Sequence, residues 1–407
     1  MAEYKISIND DILQRLFYRE EGMARLVEEV VNQALEAQVG ERLKAGRYER
    51  AQERQGYRNG YREKHIKTRI GRLSITVPRV REGTFSPEVF ASIQRCDQAL
   101  LLALMEMVVN GVSTRKVAKV TEELCGTTFS KSTVSELCRG LDPVVKEWND
   151  RSLGDKAYPF LLVDALFVRV RKEGRVRMQS VLIAVGISQE GHREILGLQV
   201  GDSESEDTWD RFFGRIKERG LTGVDLVVSD AHKGLVKAIQ TNFQGATWQR
   251  CQAHLIRNLM DACPKALRKE VHGKLRLLFD ASDEATCRRL KEEVVAEYEK
   301  TAPRVVEKLE AGFEDAIAVM ALPEPCRTRL RTTNGVERLN EEIRRRERVI
   351  RIFPNVESAL RLIGAVLVEK DEDWSTDKRY LNLDAYLEWK KLAQEGAGSR
   401  EIQTQAA

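Results

Sequence analysis

The 407-residue sequence lacks any long apolar run. No stretch reaches the roughly 18 consecutive apolar residues that a membrane-spanning helix requires, so we expect no association with a membrane. The first residues, MAEYKISINDDILQ, carry acidic side chains and no apolar core. We therefore expect no secretory signal at this end.

Paired cysteines are also missing. The seven cysteines are scattered along the chain, and none of them forms a C-x-x-C pair. An odd number of isolated cysteines does not fit a disulfide framework. We therefore expect a reducing cytoplasm to be the location of the protein.

The chain has no strong excess of either charge, since its formal net charge is +4 and its pI is about 8.6. The distribution of charge is more informative than this total. Between Lys44 and Arg81, twelve basic residues stand against three acidic ones, with Tyr57 and Tyr61 among them. Such a stretch is typical of phosphate binding, although a solvated basic surface is the alternative.

The first eighty residues change from helical to strand periodicity. Residues 10–46 repeat apolar side chains every three or four positions, which predicts one or two helices for dimerisation or DNA binding. Residues 66–77 alternate apolar and polar side chains around Gly71–Arg72, which predicts a hairpin with a type II′ turn. Its polar face would present Lys67 and Arg69 to DNA.

Residues 95–150 have the pattern of a helix-turn-helix. Ser113 can cap a helix that runs to Leu124, Gly126 can end it, and Ser130 or Ser132 can start the next helix. An αα-hairpin with a purely structural role is the alternative. The residues expected to face outward from the second helix, as candidates for DNA contact, include Lys131, Thr133 and Arg139.

A continuous apolar segment, Tyr158–Arg171, predicts a strand that is covered on both faces. It contains one carboxylate, Asp164. An unpaired buried carboxylate costs several kcal/mol or is forced to stay neutral. We therefore expect Asp164 to have a partner, for which a metal ion is the leading candidate.

The segments after this strand alternate between strands and helices and give an α/β fold class. Two further strands are predicted at 180–187 and 194–201, and their short connections favour antiparallel neighbours. A helix at 205–220, a strand at 224–229, a helix at 232–242 and a short strand at 246–250 follow. Residues 252–330 show only helical periodicity, and a helix capped by Asn334 comes next. This is the element order of a ribonuclease H-like core interrupted by an all-helical insert.

Such a core brings three acids together, which here are Asp164, Asp230 and Glu337. Three carboxylates can hold two divalent ions for in-line displacement at phosphorus, and hard oxygen ligands favour Mg²⁺, with Mn²⁺ as a substitute. Each acid also has a simpler role: Asp164 as a paired acid, Asp230 as a helix N-cap, and Glu337 in a capping box with Asn334. Glu341, one turn further along, is the rival third ligand.

The residues after Glu337 support a role in binding DNA. Asn340, Arg344 and Arg348 recur on one helix face, and the run Arg344, Arg345 and Arg346 brings guanidinium groups near the acids. A solvated basic face is the alternative.

Two histidines near the acids, His232 and His254, are further candidates. Cys251 and His254 are spaced as on one helical turn, which is too few ligands for a structural zinc site. We therefore expect Cys251 and His254 to lie in the core or behind the metal ligands. His232 could orient substrate or be a partly buried helix residue.

Five segments together resemble the bacterial Mutator-type insertion-sequence transposases of the DDE class, and the resemblance extends over roughly residues 10–390. The segments are GYRNGYREKHIKTRIGRLSITVPRVREGTF, LLVDALFVRVR, VVSDAHKGL, WQRCQAHLIRN and RTTNGVERLNEEIRRRERVIRIFPN. The resemblance implies a triad of Asp164, Asp230 and Glu337, and it selects Glu337 over Glu341. It also implies that Cys251 and His254 belong to the family signature.

The implied reaction is metal-dependent cleavage at terminal inverted repeats, followed by attack of the 3′-hydroxyl on a new phosphodiester. The implied partners are double-stranded DNA, as terminal repeats and target, and a second copy of the chain in a homodimer or larger synaptic complex. The expected location is the bacterial cytoplasm, at the nucleoid. Two other functions stay open from the residues: a structure-selective nuclease, and a DNA-binding regulator with an inactive core.

The last residues, EGAGSREIQTQAA, are expected to be disordered because they are polar and charged.

The segments above predict a division of the chain into six regions. The regions are 1–94, helices and basic hairpin for dimerisation or DNA binding; 95–152, helix-turn-helix; 153–252, first part of the core; 253–331, helical insert; 332–375, second part of the core; and 376–407, C-terminal tail.

Overall fold

A computed structural model of the chain describes residues 22–49, 52, 54–68, 71–81, 102–113, 115–117, 119–120, 131–376 and 378–405. The chain divides into two compact units, Met1–Gly140 and Leu141–Ala407. Each unit is described by itself below. Within the described residues, no helix combines the length and the apolar character needed to span a membrane.

A helix packed on a hairpin forms the core of the first unit. Leu73, Ile75 and Val77 alternate along the second strand and are buried against Val31 and Leu35 of the helix. This packing confirms the predicted apolar face of the hairpin. The elements are α1 (Gly22–Leu43), β1 (Arg58–Thr68), β2 (Gly71–Val80) and α2 (Lys131–Cys138), and residues 102–109 are also helical.

The turn of the hairpin does not lie at Gly71–Arg72, where the sequence pattern indicated it. Thr68 pairs with Gly71, so Gly71–Arg72 belongs to β2 and the prediction of a turn there was wrong. Glycine is common in turns, but it is also tolerated at the end of a strand, and Gly71 is the first residue of β2. The connecting residues 69–70, and the expected helix-turn-helix turn at Gly126, lie outside the described residues.

A mixed five-stranded sheet is the centre of the second unit. The strand order is β5-β4-β3-β6-β7: β3, β4 and β5 pair antiparallel, whereas β6 and β7 run parallel to β3. The expected antiparallel neighbours are thus confirmed. The strands are β3 (Phe160–Lys172), β4 (Arg175–Ile187), β5 (Arg193–Gly201), β6 (Leu226–Ser229) and β7 (Thr247–Arg250).

The central strand β3 changes character along its length. Its residues are buried from Phe160 to Val163, but Phe167, Arg169 and Arg171 are exposed in alternation. Only the first half of β3 is therefore covered on both faces.

Helices cover both faces of the sheet. Trp209, Phe213 and Leu235 from the helices after β5 and β6 pack with Leu161 and Val163 of β3. Side chains alternate along a strand, so Asp164 points to the opposite face, where the helices near the C-terminus lie. The covering helices are α3 (Leu141–Asp150), α4 (Glu206–Glu218), α5 (Lys233–Asn242), α11 (Asn334–Ile350), α12 (Val356–Thr376) and α13 (Asp384–Gln405).

The segment between β7 and α11 is helical throughout, as its periodicity predicts. It has a hydrophobic core of its own, in which Leu255, Leu275, Leu309 and Phe313 are buried. This segment therefore packs around a core of its own, and in the sequence it separates Asp230 from Glu337. Its helices are α6 (Gln252–Ala262), α7 (Arg268–Phe279), α8 (Glu284–Tyr298), α9 (Pro303–Ile317) and α10 (Glu324–Leu330).

Two predictions near the C-terminus were wrong. Asn334 is the first residue of α11 rather than its cap, and Thr333 at the cap position makes no side-chain capping bond. The expected disordered tail is helical to Gln405. Its alanines, glutamates and glutamines are good helix formers, and no proline interrupts them.

Asp371 joins three elements of the second unit. Its carboxylate accepts hydrogen bonds from the Trp148 indole (2.8 Å), the Arg151 guanidinium (3.0 Å) and the backbone N–H of Ile195 (2.6 Å). Burial raises the pKa of Asp371, and the positive charge of Arg151 acts in the opposite direction. The side chain therefore holds α12 against α3 and β5.

We predict that Asp371→Ala lowers the free energy of unfolding of the second unit by on the order of 3 kcal/mol, because three donors lose their acceptor. Urea unfolding followed by circular dichroism measures the change. The control is Glu372→Ala, which removes the neighbouring exposed carboxylate. Equal midpoints for both variants would contradict the role assigned to Asp371.

Candidate active site

The register of the parallel strands brings two acids to the same place. Leu162 on β3 pairs with Val228 on β6, and each acid lies two residues beyond its paired residue. Extending this register sets Asp164 beside Asp230. Since adjacent strands are about 4.8 Å apart, the backbones of the two acids are close neighbours, next to the carboxyl end of β6.

The Asp164 carboxylate is held by two hydrogen bonds. The backbone N–H of Ala165 donates to Oδ1 (2.9 Å), and the Asn340 amide donates to Oδ2 (2.8 Å). Burial raises the pKa of Asp164 to about 7, and the neighbouring Asp230 and Glu337 add to this rise. The positive charge of His254 and the bond from Ala165 oppose it.

Glu337 lies in the first turn of α11 and faces two cations. Its Oε1 atom is 3.5 Å from Nε2 of His254 and 3.5 Å from a terminal guanidinium nitrogen of Arg257. Glu341, the rival third ligand, is exposed and forms no ion pair within the described residues. The geometry therefore brings Glu337 rather than Glu341 towards Asp164.

Asp230 begins a short chain of contacts that includes an unexpected acid. The backbone N–H of His232 donates to Asp230 (3.2 Å), and Nδ1 of His232 lies 3.5 Å from Glu204, which also accepts from the Trp209 indole (3.4 Å). Burial raises the pKa of Glu204, the charge of His232 opposes this, and Asp230 adds to it. His232 therefore faces a carboxylate from its position at the start of α5.

Cys251 and His254 connect the helical segment to the helix that carries Glu337. The Cys251 thiol is fully buried and accepts hydrogen bonds from the backbone N–H and the hydroxyl of Thr333, both at 3.4 Å. Burial raises the pKa of this thiol, but His254 and Thr333 together bring it below its ordinary value. Conversely, Cys251 raises the pKa of His254 to about 9, although burial acts against the rise. His254 is therefore a cation at neutral pH.

The arginines of α11 divide into exposed and buried residues. Arg344, Arg345 and Arg348 are exposed, although Arg345 is paired with Glu342 at 3.1 Å. Arg346 is only 3% exposed and also forms an ion pair with Glu342. The helix turns the Arg346 side chain inward, whereas Arg344, Arg345 and Arg348 face solvent; contact of Arg346 with DNA stays a prediction.

The other residues expected to contact DNA lie at several places. Asn340, expected among them, is instead mostly buried and bound to Asp164. In the first unit, Thr133 lies on α2 and Arg139 is exposed just after it. Arg69 and the side chains of Lys67 and Lys131 lie outside the described part of the chain.

Two charged residues at the candidate site were not anticipated from the sequence. Glu204 stands in the acidic segment SESED, in which no local signal distinguishes one acid from another. Arg257 comes three residues after His254, so the face of α6 that carries His254 could have indicated it. The contacts of both residues with the candidate site form only when β5, α6 and α11 pack together.

The donor atoms of this site suit a hard divalent cation. Oε1 of Glu337 and Oδ1 of Asn340 are shielded from solvent and accept no hydrogen bond from the described residues. Oxygen ligands of this kind are those that Mg²⁺ and Mn²⁺ prefer. In the described chain, no three His, Cys, Asp or Glu side chains are arranged to hold a metal ion without rearrangement. The acids would therefore have to rotate to close around one.

Comparison with known proteins gives one consistent family. The family model described as "Transposase, Mutator family" matches residues 3–377. The chain is 46% identical over 358 residues to the transposase for insertion sequence element IS256 in transposon Tn4001 of Staphylococcus aureus, covering 87% of this chain and 92% of that protein. It is 43% identical over 373 residues to the transposase for ISRM5 of Rhizobium meliloti, covering 92% and 94%.

A third relative extends the range of organisms. The transposase for IS406 of Burkholderia multivorans is 41% identical over 367 residues, which is 89% of this chain and 94% of that protein. The family match includes all three acids and nearly the whole described chain, and DDE-type transposases use divalent metal ions. The chain belongs to the Mutator family of transposases, of the type encoded by IS256 insertion sequences, and is an enzyme of DNA cleavage and strand transfer.

Proposed function

We propose that this transposase binds the terminal inverted repeats of an insertion sequence and uses Asp164, Asp230 and Glu337 for metal-dependent cleavage and strand transfer. The observation that carries the proposal is the strand register that sets Asp164 beside Asp230. The mutual influence of Asp164, Asp230 and Glu337 on the pKa of Asp164 supports it as well.

A ribonuclease H-like core is the architecture we propose for the second unit. The sheet order β5-β4-β3-β6-β7, with β3 in the centre, supports this assignment. The acids follow from it: one within the central strand, one after the parallel strand β6, and one on a later helix. The separately packed helical segment would be the insert that precedes the third acid.

Mg²⁺, with Mn²⁺ as a substitute, is the proposed cofactor, and Asp164, Asp230 and Glu337 would hold it. When bound, it would supply charge stabilisation for the attacking and leaving oxygens at phosphorus. Asn340 fixes the orientation of Asp164. His254 and Arg257 balance the negative charge of the acids by facing Glu337.

The remaining parts of the chain would bind and organise DNA. We propose that the six regions predicted from the sequence hold, with the first two recognising the terminal repeats through the hairpin, Lys67, Arg69, Lys131, Thr133 and Arg139. The exposed Arg344, Arg345 and Arg348 would contact phosphates beside the acids. Since two ends must be joined, the active form would be a homodimer or a larger synaptic complex.

We predict that Asp164→Asn, Asp230→Asn and Glu337→Gln each reduce cleavage and strand transfer by about a thousandfold or more, because members of one catalytic group act together. The assay uses end-bearing oligonucleotides with Mg²⁺, and anisotropy without metal shows unchanged DNA binding. Glu341→Gln is the matched control and should keep full activity. If Glu341→Gln is inactive and Glu337→Gln is active, the triad is assigned to the wrong glutamate.

We also predict that Asp164 makes the metal-free protein less stable as the pH rises. The ordinary pKa of an aspartate is about 3.9, whereas that of folded Asp164 is about 7. The folded state therefore keeps the proton between these values, so stability falls as the pH rises from about 4 to about 7, and the loss is complete above the folded pKa. Between pH 4 and pH 8, the free energy of unfolding of Asp164→Asn should rise by on the order of 3 kcal/mol relative to that of wild type.

Urea unfolding in a chelator at several pH values measures this difference. Asp207→Asn, a change at an exposed carboxylate of α4, should show no such trend relative to wild type. Adding Mn²⁺ should stabilise the wild type at pH 8 but not Asp164→Asn. The free energies of unfolding of wild type and Asp164→Asn should therefore diverge with pH. If their difference stays constant, the environment assigned to Asp164 is contradicted.

We predict that Arg344→Ala weakens binding to DNA and lowers the magnitude of its salt dependence by about one unit of slope, the value for one phosphate contact. Arg344 is exposed seven residues from Glu337, on the same face of α11. Arg304→Ala, an exposed arginine of α9, is the control. If the salt dependence of DNA binding is unchanged in Arg344→Ala, Arg344 belongs to a solvated basic face and does not contact a phosphate.

A further inference from the structure

A second concave surface of the catalytic unit, which we call the basic pocket, lies at the start of α11. Its volume is about 330 Å³. The residues come from β5, α10, α11 and the segment before α13, so four separate parts of the chain converge on it. The lining residues are Arg193, Thr328, Arg329, Thr332, Asn334, Gly335, Arg338, Lys378, Arg379 and Tyr380.

The charge of the basic pocket is entirely positive. Arg193, Arg329, Arg338, Lys378 and Arg379 line it, and no aspartate or glutamate is among its lining residues. In the described part of the chain, none of the last four forms an ion pair. Convergent cations without counter-charges repel one another, and a bound anion would relieve this repulsion.

Aromatic rings fix the position of two of these cations. The Arg193 guanidinium lies 4.2 Å from the Trp374 ring centre and 4.3 Å from that of Tyr380. Arg329 lies 5.0 Å from the Tyr380 ring. Stacked guanidinium groups lose less rotational freedom when they bind a ligand, so the pocket is organised before the ligand arrives.

The first turn of α11 forms one side of the basic pocket. A Cβ on Gly335 would lie 3.8 Å from the Tyr380 hydroxyl and 3.9 Å from Arg193, so the helix start closely approaches both side chains. No side chain caps this helix of 17 residues. The positive end of its dipole adds to the attraction that the five cations exert on an anion.

The same helix turn connects the basic pocket to the catalytic acids. Asn334 and Arg338 line the pocket, and Glu337 lies between them in sequence. At 1.5 Å per residue, Glu337 is about 4.5 Å along the axis from Asn334. A group bound in the pocket would therefore be a close neighbour of the group bound at the acids.

We infer that the basic pocket binds a phosphate group of the same DNA strand whose phosphodiester is placed at the acids. This inference rests on the proposed function and adds a subsite to it. A phosphate offers several oxygens to guanidinium donors, which matches five convergent cations better than a neutral or cationic ligand does. The phosphate is either an internal phosphodiester or the terminal phosphate of a cleaved strand.

The first test compares DNA binding of two double variants without divalent metal. Arg329→Ala/Lys378→Ala removes two exposed cations of the basic pocket, and Lys300→Ala/Arg304→Ala removes two exposed cations elsewhere on the same unit. We expect the pocket variant to lose about tenfold in affinity for an end-bearing duplex, and about one unit of salt slope. The control variant should keep both values. Equal losses for both variants would overturn the inference.

The second test locates the phosphate on the DNA. Neutral methylphosphonate linkages are introduced one at a time along the duplex, and duplexes with a 5′-phosphate or a 5′-hydroxyl are compared. At one internal linkage or at the end, wild type should lose affinity and Arg329→Ala/Lys378→Ala should be insensitive. Identical profiles for the two proteins would contradict a phosphate subsite.

These tests separate the basic pocket from the catalytic proposal, because binding is measured without metal and without cleavage. If Asp164→Asn remains active while the pocket variant shows the expected profile, the triad is wrong and the pocket stands. If Asp164→Asn is inactive while both double variants bind alike, the pocket is wrong and the triad stands. Arg379→Ala, a single exposed change, is a second pocket variant should the double variant not fold.

Discussion

The parallel pairing of β3 with β6 is the constraint on which the proposed catalytic centre depends. Extended by two residues, this register sets Asp164 beside Asp230, and like charges in a partly buried place repel each other. Two groups oppose this repulsion. The Asn340 amide donates a hydrogen bond to the Asp164 carboxylate, and the positive charge of His254 acts on the same carboxylate. Burial, with smaller contributions from Asp230 and Glu337, raises the pKa of Asp164 and so favours its neutral form where no cation is bound.

Much of the catalytic unit could be predicted from the sequence because its signals are local or strongly periodic. The apolar run around Asp164 predicted the central strand, and the helical periodicity after Gln252 predicted the separately packed helices. The neighbouring positions of Asp164 and Asp230 could be predicted because this element order brings the end of one strand beside the middle of another. Glu337 needed the family resemblance, since Glu341 has the same local pattern.

The remaining features depend on contacts between distant segments. Glu204 and Asp371 gain their partners only when helices and strands from separate parts of the chain pack together. Arg346 is one of three consecutive arginines, and only the packing of α11 decides which one is buried. The basic pocket depends on contacts between distant segments even more strongly. Four segments contribute to it, and Arg193 precedes Lys378 by almost half the chain.

The most direct test is anomalous diffraction from crystals of the wild-type protein soaked in Mn²⁺. The account predicts manganese peaks at about 2.1 Å, a usual distance for such ions, from carboxylate oxygens of Asp164, Asp230 and Glu337. It also predicts that these peaks disappear in crystals of Asp164→Asn. Manganese bound elsewhere, or bound here through Glu341 with Glu337 turned away, would contradict the account.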